Sequence, residues 1–143
     1  MGAVISRRDF PAIIKKAQQG VFLLASKVNA PTETVAVNIG LLLSEKMFNA
    51  KTTGQIISIT DVLEEIVSNK RGDLLLVNTD ILFSPAYRLD VIKLLLLLSR
   101  NRKFYLNWPG EISSTRLVYS EPDRFDFKEY NIKDYVDTYV VLR

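Results

Sequence analysis

The side chains that could do chemistry in this chain are carboxylates, amines, guanidinium groups and hydroxyls, because its 143 residues include no histidine and no cysteine. That composition excludes a Cys/His zinc site, a Ser-His-Asp or Cys-His nucleophile pair and a disulfide framework. It leaves phosphoryl transfer open, since that chemistry needs neither residue type.

Asn78 and Asp80 directly follow the apolar run 74–77, which predicts a buried strand. Because α/β folds place ligand-facing groups at the carboxyl ends of their strands, these two side chains are candidates for binding. The simpler interpretation is that Asp80 caps or turns the chain before Ile81.

Arg100 and Arg102 close the leucine-rich stretch 91–98, and Trp108 closes the apolar run 104–107. The arginines either complement a helix dipole or act as an arginine finger on a nucleotide bound by a neighbouring subunit. Trp108 either packs at the end of a strand or anchors a protein partner.

The charge balance is mildly basic, with 19 Lys and Arg against 16 Asp and Glu, and gives weak support for DNA binding through Arg7, Arg8, Lys27 and residues 100–103. The longest apolar run, residues 91–98, is far shorter than the roughly 18 residues that a membrane span requires. We expect one domain over residues 1–143, no membrane association and a cytoplasmic location.

Two kinds of apolar pattern alternate along the chain and define its elements. Helical spacing predicts helices over residues 10–17, 60–72 and 91–98. Asp9, Thr60 and Asp90 are their expected N-caps, and Gly20 is expected to stop the first helix. Short apolar runs predict strands over residues 21–25, 74–77, 104–108 and 135–142, with residues 116–119 pairing back on 104–108 after a turn at Pro109-Gly110. Residues 49–55 are expected to form a loop.

The stretch 35–48 fits two interpretations. It belongs either to one helix from Pro31 to Phe48, with Pro31 in the first turn and Gly40 as an interruption, or to a strand over residues 35–38 followed by a helix. In both cases the alternation of strands and helices predicts an α/β fold of three layers, with a mostly parallel sheet and an antiparallel edge.

An ordered set of short motifs resembles a known family. The motifs are Leu75-Leu76-Val77-Asn78-Thr79-Asp80-Ile81-Leu82-Phe83, Leu97-Leu98-Ser99-Arg100-Asn101-Arg102, Trp108-Pro109-Gly110, Tyr119-Ser120-Glu121-Pro122 and the segment 38–47. In this order they resemble the BrxF-like P-loop proteins of type 3 BREX (bacteriophage exclusion) systems. The resemblance covers about residues 21–130 and implies a P-loop NTPase-like, AAA-like domain.

The chain departs from that family where nucleotide chemistry resides. The loop that would hold phosphate keeps Ser26, Lys27, Thr32 and Thr34 but has no glycine, while Pro31 removes a donor and Glu33 adds a negative charge. Val77 stands where the magnesium-binding aspartate of the family would fall, with Asn78 and Asp80 after it. If residues 38–47 match the family segment, the helix that follows the P-loop is deleted as well.

The resemblance and these departures together predict a non-hydrolysing, P-loop-like component of a bacterial anti-phage defence system. We expect it to act as a protein-binding or assembly module, with itself or with other components, and to use no cofactor and no metal. The alternatives are a nucleotide-binding ATPase subunit that supplies Arg100 or Arg102 as a finger in trans, with ATP and Mg²⁺, and a DNA-binding accessory subunit.

Overall fold

The computed structural model describes residues 1–55 and 58–143, which form an α/β fold with two sheets. Six strands build the main sheet: β1 (Ala3–Ser6), β2 (Gly20–Leu24), β3 (Val35–Asn38), β4 (Leu74–Val77), β5 (Lys103–Asn107) and β9 (Thr138–Leu142). Their spatial order is β1-β9-β2-β5-β4-β3, and every pairing between neighbours is parallel. The three remaining strands, β6 (Glu111–Ser113), β7 (Arg116–Tyr119) and β8 (Lys128–Asn131), form a small antiparallel sheet.

Four α-helices cover the main sheet: α1 (Phe10–Lys16), α2 (Ile39–Thr53), α3 (Ile59–Ser68) and α4 (Val91–Leu98). Side chains of β2 and β5 alternate between two cores, because successive residues of a strand point to opposite faces. Leu23 and Phe104 face a core that includes the buried residues of α2, α3 and α4. Phe22 and Tyr105 face a smaller core with Phe10 of α1 and Val28.

Residues 35–48 form a strand and then a helix, which is the second of the two structures that the sequence allowed. Asn38 caps α2 by accepting a hydrogen bond from the Leu41 backbone at 3.0 Å. Gly40 does not interrupt this helix. It allows the first turn to approach β4, because a β-carbon at Gly40 would lie 2.6 Å from the Asn78 carbonyl oxygen.

Several predicted boundaries are wrong. Residues 49–53 continue α2, and the hydroxyls of Thr52 and Thr53 donate to carbonyls of the preceding turn rather than breaking the helix. Ser58, not Thr60, occupies the N-cap of α3, which ends at Ser68, short of the predicted residue 72. Asp9 takes the N-cap position of α1 without a side-chain cap bond, and α1 ends before Gly20, which begins β2.

The antiparallel part of the fold also differs from the expectation. Residues 116–119 pair with β6 and β8 rather than back on β5. Both sides of β5 are already occupied by β2 and β4, so no edge is free for β7. The antiparallel strands therefore form a separate sheet instead of an edge of the main one, and β1 is a strand that the sequence patterns did not predict.

Candidate functional site

The candidate site is the carboxyl edge of the main sheet, where β2, β4 and β5 end. At β2 two of the first four backbone N–H groups of the following loop are already used: the Ala25 N–H donates to Val141 O at 2.9 Å and the Val28 N–H to Ala25 O at 3.0 Å. The Asn107 side-chain amide donates to the Val28 carbonyl at 3.0 Å. A phosphate site needs several N–H groups directed at one centre, and here two of them bind carbonyls of the protein itself.

The four predicted loop positions are not brought together. Ser26 and Lys27 are exposed at the carboxyl end of β2, and Lys27 has a left-handed backbone with φ of 71°. Thr32 and Thr34 precede β3 and therefore lie at the amino edge of the sheet. The Thr34 hydroxyl donates to the Pro31 carbonyl at 2.6 Å, which closes a local turn.

Asn78 and Asp80 lie at the carboxyl edge, as predicted. Asn78 has a left-handed backbone with φ of 55° and precedes a 3-10 helix, Thr79–Phe83. The Asp80 carboxylate accepts a hydrogen bond from the Tyr119 hydroxyl at 3.2 Å. This bond joins the end of β4 to β7 of the small sheet.

The Tyr119 hydroxyl is held in its protonated form by its surroundings. Its ring stacks on Phe83 with the centroids 4.2 Å apart. Burial, followed by the charge of Asp80 and the hydrogen bond to it, raises the pKa of Tyr119 to about 12. The Asp80 carboxylate is therefore engaged with a donor of the protein at neutral pH.

Trp108 packs between the two sheets. It is 6% exposed, and its indole N–H donates to the Val118 carbonyl at 3.0 Å. Its ring meets Phe83 and Tyr130 edge to face, at 5.3 and 5.8 Å between centroids. These contacts support the packing interpretation and leave no exposed indole face to anchor a partner.

The two arginines after α4 differ in their contacts. The Arg102 guanidinium donates to the carbonyls of Val67, Lys70 and Gly72 at 2.7–2.9 Å. Arg100 is exposed and makes no hydrogen bond or ion pair with any residue of the described ranges. A role in trans for Arg102 would require these bonds to break, whereas Arg100 is free of that constraint.

A cavity of about 500 Å³ opens beside the ends of β2 and β9, and its lining includes Ser26, Trp108 and Arg143. Arg143 donates through Nε to the Ser26 carbonyl at 3.0 Å. The lining includes no Asp or Glu side chain, the usual protein ligands of Mg²⁺. Over residues 1–55 and 58–143 there is also no group of three or more Asp, Glu, His or Cys residues arranged to hold a metal ion.

Sequence reasoning missed a second polar group, at the amino edge of the sheet. Asp73 accepts a hydrogen bond from the Lys103 backbone at 2.8 Å, and the Lys103 ammonium donates to the carbonyls of Ile14 and Ala17 at 3.2 and 3.0 Å. Tyr105, two residues further along β5, lies on the same face of the sheet. The only sequence signal was that Asp73 and Lys103 each stand at the start of a strand.

Comparisons with protein-family models, with curated proteins and with solved structures each give no match for this chain. In the part of the chain that the structure describes, no helix has both the length and the apolar character needed to cross a membrane.

Proposed function

We propose that the chain is a non-hydrolysing binding module: a P-loop-like, AAA-like α/β domain that assembles with itself or with other components of a bacterial anti-phage defence system. The observation that carries this proposal is the segment 25–34, which joins β2 to β3 with no helix and no glycine. The defence context rests on the resemblance to BrxF-like proteins.

Segment 25–34 takes the place of a crossover helix. It has ten residues and must pass from β2 across β5 and β4 to β3. Three strand spacings cover about 14 Å, and the return along one strand covers about 16 Å at right angles to them. The straight line between the two ends is therefore about 21 Å, within the roughly 33 Å that ten extended residues span. A helix of useful length would not leave enough chain for this crossing.

The loss of that helix removes the usual means of binding phosphate. A P-loop directs its N–H groups and the N-terminus of the following helix at the phosphates. Here the N–H groups of Ala25 and Val28 bind carbonyl oxygens, and no helix lies between β2 and β3. Together with Val77 at the position of the magnesium ligand, this supports a domain without nucleotide turnover.

The outer side of α2 supports a role in assembly. Leu41 and Phe48 are 55% and 66% exposed, and they lie seven residues apart, on one face of the helix. The neighbouring strand β3 is at the edge of the sheet and exposes Val35. The exposed Ser44 and Glu45 lie between these two apolar side chains, and β3 has one side that no other strand of the described chain pairs. Two large exposed apolar side chains near a free strand edge support a protein-binding surface.

Titration calorimetry with ATP and Mg²⁺ tests the absence of nucleotide chemistry. We expect no saturable heat and no phosphate release. Micromolar binding accompanied by turnover would contradict the proposal.

Sedimentation at increasing protein concentration tests assembly. We expect the mass of the wild-type chain to rise, and the double variant Leu41→Ser/Phe48→Ser to remain a monomer. Leu97→Ser is the matched control, because Leu97 is 53% exposed but lies on α4. A wild-type chain that stays monomeric, or a loss of association in the control alone, would contradict self-assembly through α2.

A second candidate function, nucleotide chemistry shared in trans, rests on Arg100, which is exposed and unpaired within the described residues. Arg100→Ala is expected to abolish the stimulation of a partner ATPase if this candidate holds, and a partner rate unaffected by the change would eliminate it. The DNA-binding alternative is weakened because Arg102 and Lys103 donate to backbone carbonyls.

A further inference from the structure

The cavity of about 500 Å³ at the carboxyl edge of the main sheet has the size of a small-molecule site. Its lining includes Ala25, Ser26, Trp108, Ile112, Leu142 and Arg143. Since a water molecule occupies about 30 Å³ in the liquid, the cavity accommodates a ligand of up to about 16 non-hydrogen atoms.

The Arg143 guanidinium is held at the wall of this cavity. Its Nε donates to the Ser26 carbonyl at 3.0 Å, and both residues line the cavity. Its two Nη groups make no hydrogen bond or ion pair with residues 1–55 or 58–143, and neither does the Ser26 hydroxyl. The two Nη groups of a guanidinium form a pair of donors that matches the two oxygens of one carboxylate.

Two further cations flank this wall. Lys27 directly follows Ser26 in the turn after β2 and is exposed. The parallel register of β1 on β9 places Arg7, the first residue after β1, beside Arg143. Within the described ranges, neither the Lys27 nor the Arg7 side chain forms an ion pair. Cations on neighbouring strand ends repel one another, so an anion bound among them is stabilising.

Carboxylates near the cavity do not cancel these charges. Asp9 is the one acidic residue of the turn 7–9. Glu111 lines a separate cavity, on the opposite face of β6 from Ile112. With both of them and an α-carboxylate at Arg143 counted, three negative charges stand against the four positive charges of Arg7, Arg8, Lys27 and Arg143. The formal charge around the cavity is therefore positive, which favours an anion.

The rest of the lining indicates which anion fits. Trp108 and Ile112 belong to the apolar core, and Leu142 is 39% exposed, so the cavity has an apolar side. Two of the first four N–H groups after β2 already bind carbonyls, and a phosphate needs several such donors directed at one centre. One pair of guanidinium donors beside an apolar wall fits a carboxylate that carries a short hydrocarbon chain.

We propose that this cavity binds a small aliphatic carboxylic acid in its ionised form. The carboxylate accepts hydrogen bonds from the Nη groups of Arg143 and from the Ser26 hydroxyl, and the hydrocarbon chain packs against Ile112 and Leu142. This site goes beyond the assembly role and is independent of it, because α2 lies beside β3 at the far edge of the sheet. ATP has about twice as many non-hydrogen atoms as the cavity accommodates, so the two binding experiments give separate results.

Fluorescence titration with sodium n-hexanoate tests the proposal, because Trp108 is the only tryptophan of the chain and lines the cavity. We expect a saturable change in emission, with an affinity of about millimolar for so small a ligand. Methyl NMR signals of Ile112 and Leu142 should shift with the same affinity. n-Hexanol is expected to bind at least about tenfold more weakly, and n-hexylammonium not to saturate.

Variants of one exposed residue test the charge. Arg143→Gln is expected to weaken binding of n-hexanoate about tenfold, and Arg143→Lys should lie between, since it keeps the charge but not the paired donors. Arg71→Gln is the matched control, because Arg71 is an exposed arginine before β4, at the amino edge of the sheet, and it should bind as the wild type does.

Two more probes test the chemistry of the ligand. Acetate lacks the hydrocarbon chain and is expected to bind at least about tenfold more weakly than n-hexanoate. n-Hexyl phosphate is expected to bind no more tightly than n-hexanoate, and tighter binding would overturn the choice of a carboxylate. Absence of saturable binding, equal binding of n-hexanol, unchanged affinity in Arg143→Gln, or an equal loss in Arg71→Gln would each overturn the site itself.

Discussion

The Arg102 guanidinium stabilises the chain reversal after α3. Its Nη1 donates to Val67 O at 2.8 Å, and its other donors bind the carbonyls of Lys70 and Gly72. The last carbonyls of a helix have no partner within the helix and carry partial negative charge. One cation therefore satisfies several acceptors that would otherwise face solvent or the core.

Replacing Arg102 tests this structural role. We expect Arg102→Ala to lower the free energy of unfolding by about 2–3 kcal/mol, because hydrogen bonds to a charged donor are lost together. Arg102→Lys should lie between, since an ammonium cannot reproduce the planar set of donors. Urea denaturation measures both.

Arg100→Ala is the control for this change, and we expect it to remain within about 0.5 kcal/mol of the wild type. If Arg102→Ala were as stable as Arg100→Ala, the bonds to the backbone would not stabilise the fold. Arg102 would then be available for a role in trans.

The sequence predicted the positions of some residues of the candidate site but not of others. The positions of Asn78 and Asp80 followed from strand β4, because a polar residue after a buried parallel strand lies at the carboxyl edge. Thr32 and Thr34 could not be placed, since a loop that crosses from one edge of the sheet to the other has no periodicity. The partners of Arg102 and Tyr119 are distant in sequence and depend on packing that local patterns do not encode.

Among the elements, α4 depends most clearly on one side chain. Asp90 accepts a hydrogen bond from the Lys93 backbone at 3.1 Å through Oδ1, and one from the Tyr135 hydroxyl at 2.8 Å through Oδ2. The first bond caps the helix, and the second ties its start to the segment before β9. The prediction that Asp90 caps this helix is confirmed.

Asp90→Ala is expected to lower the free energy of unfolding by about 2 kcal/mol, because the cap and the acceptor for Tyr135 are lost together. Asp90→Asn keeps an oxygen acceptor at the cap and should lose less than half as much. Asp123→Ala, an exposed aspartate, should be neutral. Equal stability of the alanine and asparagine variants in urea would show that the acceptor is unimportant.

The elements that periodicity predicted best are those buried on one or both faces. β2, β4, β5 and α4 have the expected positions, because continuous or helically spaced apolar residues report burial directly. The end of α2 was missed because Thr52 and Thr53 bond back to helix carbonyls, and such bonds are invisible in a propensity pattern. β1 was missed because only its middle residues are partly buried.

At the scale of the whole molecule, the two faces of the main sheet are covered by different amounts of chain. Helices α2, α3 and α4 share one core, while among residues 1–55 and 58–143 the other face is covered only by the seven-residue α1 and segment 25–34. That thin cover accounts for a cavity of about 230 Å³ whose lining includes Pro31, Thr34 and Tyr105, since a ten-residue segment fills less space than a helix. The parallel sheet followed from the alternation of strands and helices, but the cavity depends on how the segment crosses the sheet.

The tyrosines make the stability of the whole molecule sensitive to alkali. Burial is the leading cause that raises the pKa of Tyr119 and Tyr130 to about 12, and it also raises the pKa of Tyr105 and Tyr135. In the unfolded chain these phenols ionise near pH 10. Above that pH the unfolded state binds fewer protons than the folded state, so the free energy of unfolding falls as pH rises.

We expect the free energy of unfolding to lose the contribution of Tyr119 and Tyr130 from pH 10 through about 12, while that contribution is fully present below pH 10. Burial lowers the pKa of Lys128, which acts in the opposite direction but only below the ordinary lysine pKa of about 10.4. Urea denaturation at a series of pH values gives the slope of the free energy of unfolding against pH, and near-ultraviolet phenolate absorbance shows whether the folded or the unfolded chain ionises.

Tyr105→Phe should reduce this slope by the equivalent of about one proton, because it removes one group with a raised pKa and no hydrogen bond within the described residues. The control Phe125→Ser, at an exposed loop position, should leave the slope unchanged. Stability that is flat from pH 10 to 12, or a slope unaffected by Tyr105→Phe, would contradict the assignment of these buried phenols.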